Sequence, residues 1–349
     1  MKKQIAVLSG DGIGPEVTAQ SVDLLKKIAE KFNHDFIFRT GLIGAIAIEK
    51  EGSPLPDETL KLCKRSDAVL FGSIGDPKYD NDPKAKIRPE QGLLALRKGL
   101  GLYANIRPIY TFSETLSKSP LKPELIDGVD FVVVRELTGG IYFGEKGRQE
   151  NRAFDTCVYS KGEIIRVAKI AFELAAKRKR KLTVVDKANV LETSRLWRET
   201  LQEMLKDYPD IEVNFMYVDN AAMQIIKFPK NFDVILTENC FGDILTDEAS
   251  VISGSLGMLP SASIGDSTSL FEPIHGSYPQ AAGKNIANPI GSMLSAAMLL
   301  DLSFGLKEES KTIINSVKKV LADGFGTEDL VSQNPLSTSD FAKKIIDAV

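Results

Sequence analysis

The chain has few cysteines, and none lies in a pattern typical of a metal site or a disulfide framework. The three are Cys63, Cys157 and Cys240, which are far apart, odd in number and outside any Cys-x-x-Cys spacing. Thiolate zinc sites and disulfide-stabilised secreted folds need paired cysteines at short or regular spacings. We therefore expect a protein of a reducing compartment, the cytoplasm.

The chain also lacks an excess of positive charge and a long apolar run. Its net charge of -3 provides no attraction to nucleic acid or to an anionic membrane. The basic run 177–181 closes a helix-periodic segment, where cations complement the helix macrodipole. Ser, Gly and Pro interrupt even the longest uncharged run, 249–265, and Asp11 ends the apolar run at the amino terminus. We expect no membrane span, no signal peptide and no nucleic-acid partner.

Two familiar phosphate-binding loops are incomplete. The segment "SGDGIGPE" (9–16) follows a predicted strand, but its glycines do not have the Gly-x-Gly-x-x-Gly spacing, and the second predicted strand ends in Arg39 instead of an acid. No Gly-Lys-Ser/Thr sequence is present. The chain therefore has neither a Rossmann fingerprint nor a P-loop.

The chain does contain β-rich apolar runs that alternate with amphipathic helical patterns. The runs are "QIAVLSG", "DFIFRT", "DAVLFG", "VDFVVVRE", "KLTVVD", "IEVNFMYV" and "FDVILTEN". Continuous apolar strands separated by helices indicate an α/β fold with a largely parallel core sheet.

One segment, 138–160, departs from this alternation. It has two β-like runs around a polar turn and no helical pattern. Two interpretations are open: a projecting hairpin arm that pairs with a second subunit, or a surface hairpin that covers its own domain.

Three aspartates are candidate metal ligands. Asp243 and Asp247 are four residues apart, on one face if "GDILTDEASVISG" is helical, with Cβ atoms roughly 5–6 Å apart. Spacing alone leaves two alternatives, helix capping and binding of a hard cation such as Mg²⁺ or Mn²⁺. Asp219 follows another predicted strand, at a junction where open α/β sheets place ligands, and favours the cation.

Lys187 and Tyr142 are candidates for proton transfer. Lys187 follows the strand-like run "KLTVVD" and could be a desolvated base, or simply a solvated lysine at a strand end. Tyr142, in the predicted hairpin, could donate a phenolic proton or pack on the hairpin.

A predicted helix and two further arginines suggest an anion site. One helix face carries Glu90, Leu93, Leu94 and Arg97. Arg97, Arg107 and Arg135 together could clamp carboxylates, and the leucines could contact an aliphatic group of the same ligand. The alternative is a leucine core with separate surface ion pairs.

With these residues identified, the whole chain resembles the isocitrate/isopropylmalate dehydrogenase family of metal-dependent β-hydroxyacid oxidative decarboxylases. The matching segments are "GDGIGPEV", "RPEQGLLALRK", "NIRP", "VRELTGGIYFG", "DKANVLETSRLWR", "YVDN", "NCFGDILTDEAS", "FEPIHGSYP" and "AGKNIANPIG".

The resemblance implies a role for each candidate residue. Lys187 would be the catalytic base and Tyr142 the acid, and Asp219, Asp243 and Asp247 would bind Mg²⁺ or Mn²⁺. Substrate contacts would come from Glu90, Leu93, Leu94, Arg97, Arg107, Arg135, Val190 and Asp219. Cofactor contacts would come from His275, Gly276, Ser277, Gln280 and Asn288.

The resemblance also implies a non-Rossmann, two-domain α/β fold. Residues 1–102 and 254–349 would form the first domain and 103–253 the second. The β-hairpin arm would pair across a homodimer with shared active sites, to which Lys187 and Asp219 come from the partner.

The implied reaction is NAD-dependent oxidative decarboxylation of (2R,3S)-3-isopropylmalate to 4-methyl-2-oxopentanoate, a precursor of leucine. A third carboxylate, as in isocitrate, would be repelled by Glu90 and desolvated by Leu93 and Leu94, whereas an isopropyl group gains from burial. At Gln280 the NAD-using members typically have an acid, so we expect NAD with weaker discrimination against NADP.

Alternatives remain inside and outside this class. Inside it are the tartrate/malate and homoisocitrate types. Outside it are a Mg²⁺-dependent phosphotransferase, for which the loops provide no phosphate cradle, and a non-catalytic binding protein, which the retained charged residues disfavour.

Overall fold

The computed structural model describes residues 1–80 and 87–349, in two compact units. The first unit comprises Met1–Gly101 and Gly254–Val349, and the second comprises Leu102–Ser253.

The strands and helices are numbered along the chain. The strands are β1 (Lys2–Gly10), β2 (Asp35–Thr40), β3 (Ala68–Ser73), β4 (Leu102–Tyr110), β5 (Asp130–Glu136), β6 (Lys146–Gln149), β7 (Arg152–Asp155), β8 (Lys181–Asp186), β9 (Glu212–Tyr217), β10 (Val234–Thr237), β11 (Pro260–Gly265) and β12 (Ser269–Pro273). The α-helices are α1 (Gly14–Phe32), α2 (Ala45–Glu51), α3 (Asp57–Arg65), α4 (Pro77–Asp80), α5 (Pro89–Gly99), α6 (Pro123–Ile126), α7 (Lys161–Lys177), α8 (Glu192–Met204), α9 (Val218–Lys227), α10 (Asn239–Ser250), α11 (Ile290–Phe304), α12 (Lys307–Ala322) and α13 (Thr338–Asp347).

The first unit is built on strands in the order β2-β1-β3-β12-β11. Neighbours are parallel except β11 and β12, which form an antiparallel pair. Every residue of β3 is buried, as expected for a parallel strand covered on both faces. Helix α11 packs on β3, β11 and β12 and also contacts α1, where the Ser21 hydroxyl donates to Ser292 Oγ over 2.7 Å.

The second unit is built on strands in the order β4-β5-β10-β8-β9. Only β4 and β5 are antiparallel, and the other neighbouring strands are parallel. Helix α7 packs on β4, β5, β8 and β10, and its Phe172 is buried together with Trp197 of α8. A capping box begins α7, because Ser160 Oγ accepts from Glu163 N–H and the Glu163 carboxylate accepts from Ser160 N–H.

The segment that breaks the alternation is a hairpin. β6 and β7 pair antiparallel, from Lys146 opposite Asp155 to Gln149 opposite Arg152. Tyr142 does not lie on the hairpin strands but in the 3-10 turn Gly140–Tyr142 that precedes them.

The predicted α/β fold with a largely parallel sheet is confirmed, and each predicted apolar run forms a strand. The runs did not predict β4, β11 and β12, which contain Pro, Ser or Gly. In the part of the chain that the structure describes, no helix is both long and apolar enough to cross a bilayer.

Candidate active site

Arg135, at the end of β5, is buried and held by two residues of α10. Its Nε and Nη2 both donate to Asn239 Oδ1, over 3.0 and 2.8 Å, and its Nη1 donates to Asp243 Oδ1. Only 5% of the Arg135 side chain is exposed. Asn239 is itself fixed, since its Nδ2 donates to the Gly139 carbonyl over 3.0 Å.

Arg107, on β4, is oriented in a similar way. Its Nε donates to Asn105 Oδ1 over 2.7 Å and its Nη1 to Thr246 Oγ1 over 2.5 Å. The same Nη1 lies 3.4 Å from Asp247 Oδ1, and Nη2 lies 4.0 Å from Asp243 Oδ1. The two arginines and the two aspartates therefore form one cluster, in which α10 supplies the acids and the strands supply the cations.

Tyr142 joins this cluster through its hydroxyl. The Tyr142 O–H donates to Asp243 Oδ2 over 3.0 Å, and the Arg135 guanidinium lies 5.9 Å from the ring centroid. Burial, reinforced by the Asp243 charge, raises the pKa of Tyr142 above its ordinary value. The phenol therefore stays protonated at neutral pH.

The aspartates are not helix caps. Glu238 is the N-cap of α10, and its carboxylate accepts from Phe241 N–H over 2.7 Å. Asp243 and Asp247 lie further along the helix, and Asp247 is 70% exposed. The capping alternative is thus excluded. The two carboxylates lie on one face of α10, where both Asp243 oxygens already accept hydrogen bonds and Asp247 is largely open to solvent.

Lys187 and Asp219 pair with each other. Lys187 Nζ lies 2.9 Å from Asp219 Oδ1, and this hydrogen bond lowers the pKa of Asp219. Lys187 does not pair with its neighbour Asp186, which is buried and accepts from both Nε and Nη2 of Arg198 over 2.8 Å. The backbone N–H of Lys187 donates to Ser194 Oγ over 3.0 Å.

The pair does not join the α10 carboxylates within one chain. Among residues 1–80 and 87–349 there is no group of three or more His, Cys, Asp or Glu placed to hold a metal ion. Asp219 is 64% exposed and Lys187 26% exposed. Both side chains are therefore accessible from outside the chain.

In the first unit, Arg97 of α5 is paired with an acid that the sequence patterns did not single out. Arg97 Nη2 donates to Glu272 Oε1 over 2.9 Å, and both side chains are almost buried. Among the described residues no partner contacts Arg97 Nε, which is also buried. Glu272 thus fixes one side of the guanidinium and leaves a second donor for an anion. Glu90, Leu93 and Leu94, on the same helix, are half-buried.

The first unit also contains a cavity of about 640 Å³. It is lined by Ile13, Ser255, Leu256, Gly257, His275, Gly276, Tyr278, Ile286, Ala287, Asn288, Glu328 and Asp329. Of the predicted cofactor contacts, His275, Gly276 and Asn288 line this cavity, whereas Ser277 and Gln280 do not. Asn288 is held by Asp329, whose Oδ2 accepts from Asn288 Nδ2 over 2.9 Å.

His275 presents an unused acceptor in this cavity. Its Nδ1 lies 2.9 Å from the Gly276 carbonyl oxygen, so Nδ1 carries the proton and donates. Burial lowers the pKa of His275, which leaves the ring neutral and Nε2 as an acceptor. Nε2 is buried and has no partner among the described residues. The cavity is therefore suited to a ligand that donates an N–H or O–H at this point.

The "GDGIG" turn supports the loop that carries His275. Ile13 N–H donates to the Ser277 carbonyl over 2.8 Å, and a Cβ on Gly12 would lie 1.9 Å from that oxygen. Gly12 has a positive φ of +58, which glycine adopts without strain. Glycine at position 12 therefore permits close packing of this turn on the loop that carries His275.

Several positioning residues had no sequence signal of their own. Asn105, Asn239, Thr246 and Glu272 are ordinary polar residues in strands or helices, and their role depends on the arginine that each contacts. Only their nearness in sequence to Arg107 or Asp243 could have suggested the first three.

Comparison with known proteins identifies the class. The family model described as "Isocitrate/isopropylmalate dehydrogenase" matches residues 4–345. The chain belongs to this family, and the predicted resemblance is confirmed.

Individual relatives are more specific. The chain is 56% identical to the 3-isopropylmalate dehydrogenase of Bacteroides fragilis (strain YCH46) over 330 residues, covering 95% of this chain and 93% of the relative. It is 56% identical to that of Geobacillus kaustophilus (strain HTA426) over 354 residues, covering 99% and 95%.

Solved structures agree with the family. A crystal structure of isocitrate dehydrogenase from Methylococcus capsulatus has a TM-score of 0.88 at 34% identity, covering 99% of both chains. A beta-decarboxylating dehydrogenase from Thermococcus kodakarensis, in its apo form, has a TM-score of 0.82 at 38% identity, covering 99% of this chain and 96% of that one.

Proposed function

We propose that the protein oxidises and decarboxylates (2R,3S)-3-isopropylmalate to 4-methyl-2-oxopentanoate in leucine biosynthesis, with NAD and Mg²⁺ or Mn²⁺ as cofactors. The proposal is supported by family membership and by relatives of this name at 51–56% identity. The observation that carries it is the cluster of Arg107, Arg135, Asp243, Asp247 and Tyr142, which combines anion binding, cation binding and a proton donor.

The carboxylates fit a divalent cation. Asp243 and Asp247 offer oxygen atoms on one helix face, and oxygen ligands suit Mg²⁺ and Mn²⁺. Asp219 is exposed on the same unit and would complete the set from a second copy. A bound cation would withdraw electron density from the C2 hydroxyl of the substrate.

The arginines fit a dicarboxylic acid. Arg107 and Arg135 are buried and pre-oriented by Asn105, Thr246 and Asn239, so little side-chain entropy is lost when they accept a carboxylate. Arg97 has one N–H group held by Glu272 and another without a partner. We assign these arginines to the two carboxylates of the malate moiety.

Lys187 and Tyr142 fit the two proton transfers. Lys187 would accept the proton of the C2 hydroxyl, and NAD, when bound, would supply the hydride acceptor for the oxidation. After CO₂ leaves, Tyr142 would deliver a proton to C3 of the substrate. The contact with Asp219, over 2.9 Å, holds Lys187 Nζ in a defined place, and Lys187 would act as the base in its neutral amine form.

The first unit fits the adenosine part of NAD. The cavity is lined by apolar side chains, by Gly257 and Gly276, and by Asn288 and the unpaired His275 acceptor. The adenine amino group or a ribose hydroxyl would satisfy His275 Nε2. Ser277 and Gln280 adjoin this loop and would contact the outer part of the cofactor.

The isopropyl group would meet Leu93, Leu94 and Val190. Both leucines are half-buried on α5, and Val190 is 60% exposed on the second unit. Burying such side chains against an aliphatic group stabilises binding by roughly 0.8 kcal/mol per CH₂. The Glu90 carboxylate would repel a third substrate carboxylate.

A homodimer is supported by exposed apolar residues on the second unit. Val190, Met223 of α9 and Ile244 of α10 are 60%, 56% and 62% exposed, and α9 packs on α10. Apolar side chains grouped near functional residues are typical of protein interfaces.

The three cysteines are free thiols, which supports a reducing compartment such as the cytoplasm.

One assay tests the proposed function. Reduced cofactor is followed by absorbance with NAD⁺, Mg²⁺ or Mn²⁺ and 3-isopropylmalate together, and with each omitted in turn. We expect signal only when all three are present, and lower kcat/KM for isocitrate, homoisocitrate, malate and tartrate. A higher kcat/KM for one of these acids would reassign the substrate, and reduction without added or bound divalent metal would contradict the metal role.

A further inference from the structure

We propose that Glu328 is the residue with which the cofactor cavity rejects a 2′-phosphate, so that it sets the preference for NAD over NADP. This inference rests on the proposed function, since it assigns the cavity of the first unit to the adenosine part of the cofactor.

The position that the sequence suggested for this role is Gln280, and the structure does not favour it. The Gln280 side chain is exposed, carries no charge and is absent from the residues that line the cavity. An amide repels neither NAD nor NADP, because it can donate as well as accept. A charge that opposes a 2′-phosphate in this cavity would therefore come from another residue.

Two carboxylates do line the cavity, Glu328 and Asp329. Asp329 has a structural task, because it accepts from Ser255 Oγ, from Asn288 Nδ2 over 2.9 Å and from Thr327 Oγ1 over 2.6 Å. Within the described part of the chain, neither a hydrogen bond nor an ion pair involves the Glu328 side chain. Glu328 is thus the carboxylate with acceptor oxygens free for a ligand.

The segment that carries Glu328 is held in place although the side chain is exposed. The Leu330 and Val331 N–H groups both donate to the Thr327 carbonyl, over 2.9 and 3.0 Å, and Thr327 and Leu330 are buried. The Glu328 backbone is therefore anchored on both sides.

Among the described residues that line the cavity, none supplies a positive charge to offset that of Glu328. No Lys or Arg is among its described lining residues, and its His275 is neutral. A ribose with free 2′- and 3′-hydroxyls can donate to the Glu328 carboxylate, whereas a 2′-phosphate brings up to two negative charges close to it. Two like charges a few ångströms apart at a partly solvated site repel each other, so one carboxylate should change affinity roughly tenfold, which corresponds to about 1.4 kcal/mol.

The test compares cofactor binding in variants of the full chain. Dissociation constants for NADH and NADPH are measured by fluorescence titration, at low and high salt, for the unmodified protein, for Glu328→Gln and for Glu328→Lys. Adenosine 2′,5′-bisphosphate and AMP serve as competitors that carry only the adenosine end. Glu51→Gln, which removes an exposed carboxylate of α2 outside the cavity, is the matched control, and Gln280→Ala tests the alternative position.

For Glu328→Gln we expect NADPH and adenosine 2′,5′-bisphosphate to bind about tenfold tighter, with NADH changed much less and with a smaller gain at high salt. Glu328→Lys should show a larger gain, and Glu51→Gln none. An unchanged NADPH/NADH ratio in both Glu328 variants, or a larger shift in Gln280→Ala, would overturn the inference. This test of Glu328 measures cofactor binding, so its failure can be told apart from failure of the proposed function. The proposed function fails if 3-isopropylmalate supports no reduction of either cofactor.

Discussion

Arg107 and Arg135 are buried cations, and each is tolerated because its N–H groups are paired. A guanidinium that is removed from water without hydrogen-bond partners strongly destabilises the fold. The residues around a buried arginine must therefore supply acceptors for its N–H groups. Asn239 illustrates this dependence, since one amide oxygen accepts from both Nε and Nη2 of Arg135. At the residue scale, the site is a set of acceptors that orient arginines.

Tyr142 provides the first test at this scale. Tyr142→Phe removes the hydroxyl that donates to Asp243 and keeps the ring in place. If Tyr142 is the acid, kcat should fall on the order of 10²-fold or more while KM for the substrate changes little. Steady-state kinetics decide it, with Tyr208→Phe as a control that removes a phenol stacked on Phe172 away from the cluster. Unchanged kcat in Tyr142→Phe would exclude the acid role.

His275 provides a pH dependence. Burial lowers the folded-state pKa of His275 below its ordinary value of 6.5, so below about pH 6.5 the unfolded chain takes up a proton that the folded chain does not. The free energy of unfolding should therefore decrease as the pH falls from 6.5 toward the folded-state pKa. His275→Gln should remove this contribution in urea unfolding curves measured across that window. If the free energy of unfolding of His275→Gln depended on pH in the same way, His275 would have the same pKa in the folded and unfolded chains, and the prediction would be wrong.

At the element scale, α10 brings together most of the charged cluster. Its N-cap is Glu238, its first residue is Asn239, and Asp243 and Asp247 follow at helical spacing. Because Asp243, Asp247 and Asn239, which accepts from Arg135, all belong to this helix, the helix geometry sets the distances between them. A shift of α10 would move all of these groups together.

The turn between β1 and α1 is the second element with a specific role. Gly12→Ala would place a Cβ 1.9 Å from the Ser277 carbonyl oxygen, in the loop that carries His275. We expect a loss of about 3 kcal/mol in the free energy of unfolding, from the positive φ and the clash together, and weaker NADH binding. Gly52→Ala is the matched control, because Gly52 also has positive φ but its Cβ would meet nothing within 4 Å. It should cost about 1 kcal/mol and leave NADH binding unchanged. If both variants lost the same free energy of unfolding, the loop around Ser277 would have moved to accommodate the Cβ at position 12, contrary to this prediction.

At the scale of the whole molecule, the aspartates that we propose as metal ligands lie in two separate groups within the described part of the chain. Asp243 and Asp247 form one cluster and the Lys187–Asp219 pair another. Exposed Met223 and Ile244 lie on α9 and α10, the helices that carry Asp219 and the other two aspartates, in line with the proposed dimer.

Met223→Glu tests this arrangement. An unpaired carboxylate buried in an apolar interface costs several kcal/mol, so the variant should sediment as a monomer and lose metal-dependent activity while keeping its secondary structure. Leu302→Glu, a matched change at an exposed leucine of the first unit, should keep both assembly and activity. A monomeric variant with full activity would contradict the shared site.

Local patterns were sufficient for the α/β class and for most strands and helices. Apolar runs such as "DAVLFG" become buried parallel strands because helices cover both faces, and the period of α5 follows from its leucines. β4 was not predicted because Arg107 and Pro108 interrupt its apolar pattern, and β11 and β12 are short and contain Ser, Gly and Pro. Such strands depend on pairing with neighbours more than on their own composition.

By itself, the sequence determined the fold class, the family and the identity of the charged residues, because these depend on residue type and spacing along one chain. Only the tertiary structure decided what those residues contact. It assigned the cap of α10 to Glu238, paired Arg97 with Glu272 and Lys187 with Asp219, and lined the cavity with Glu328 instead of Gln280. Hydrogen bonds and Coulomb interactions act over a few ångströms, and segments far apart in sequence reach that distance only after the chain has packed.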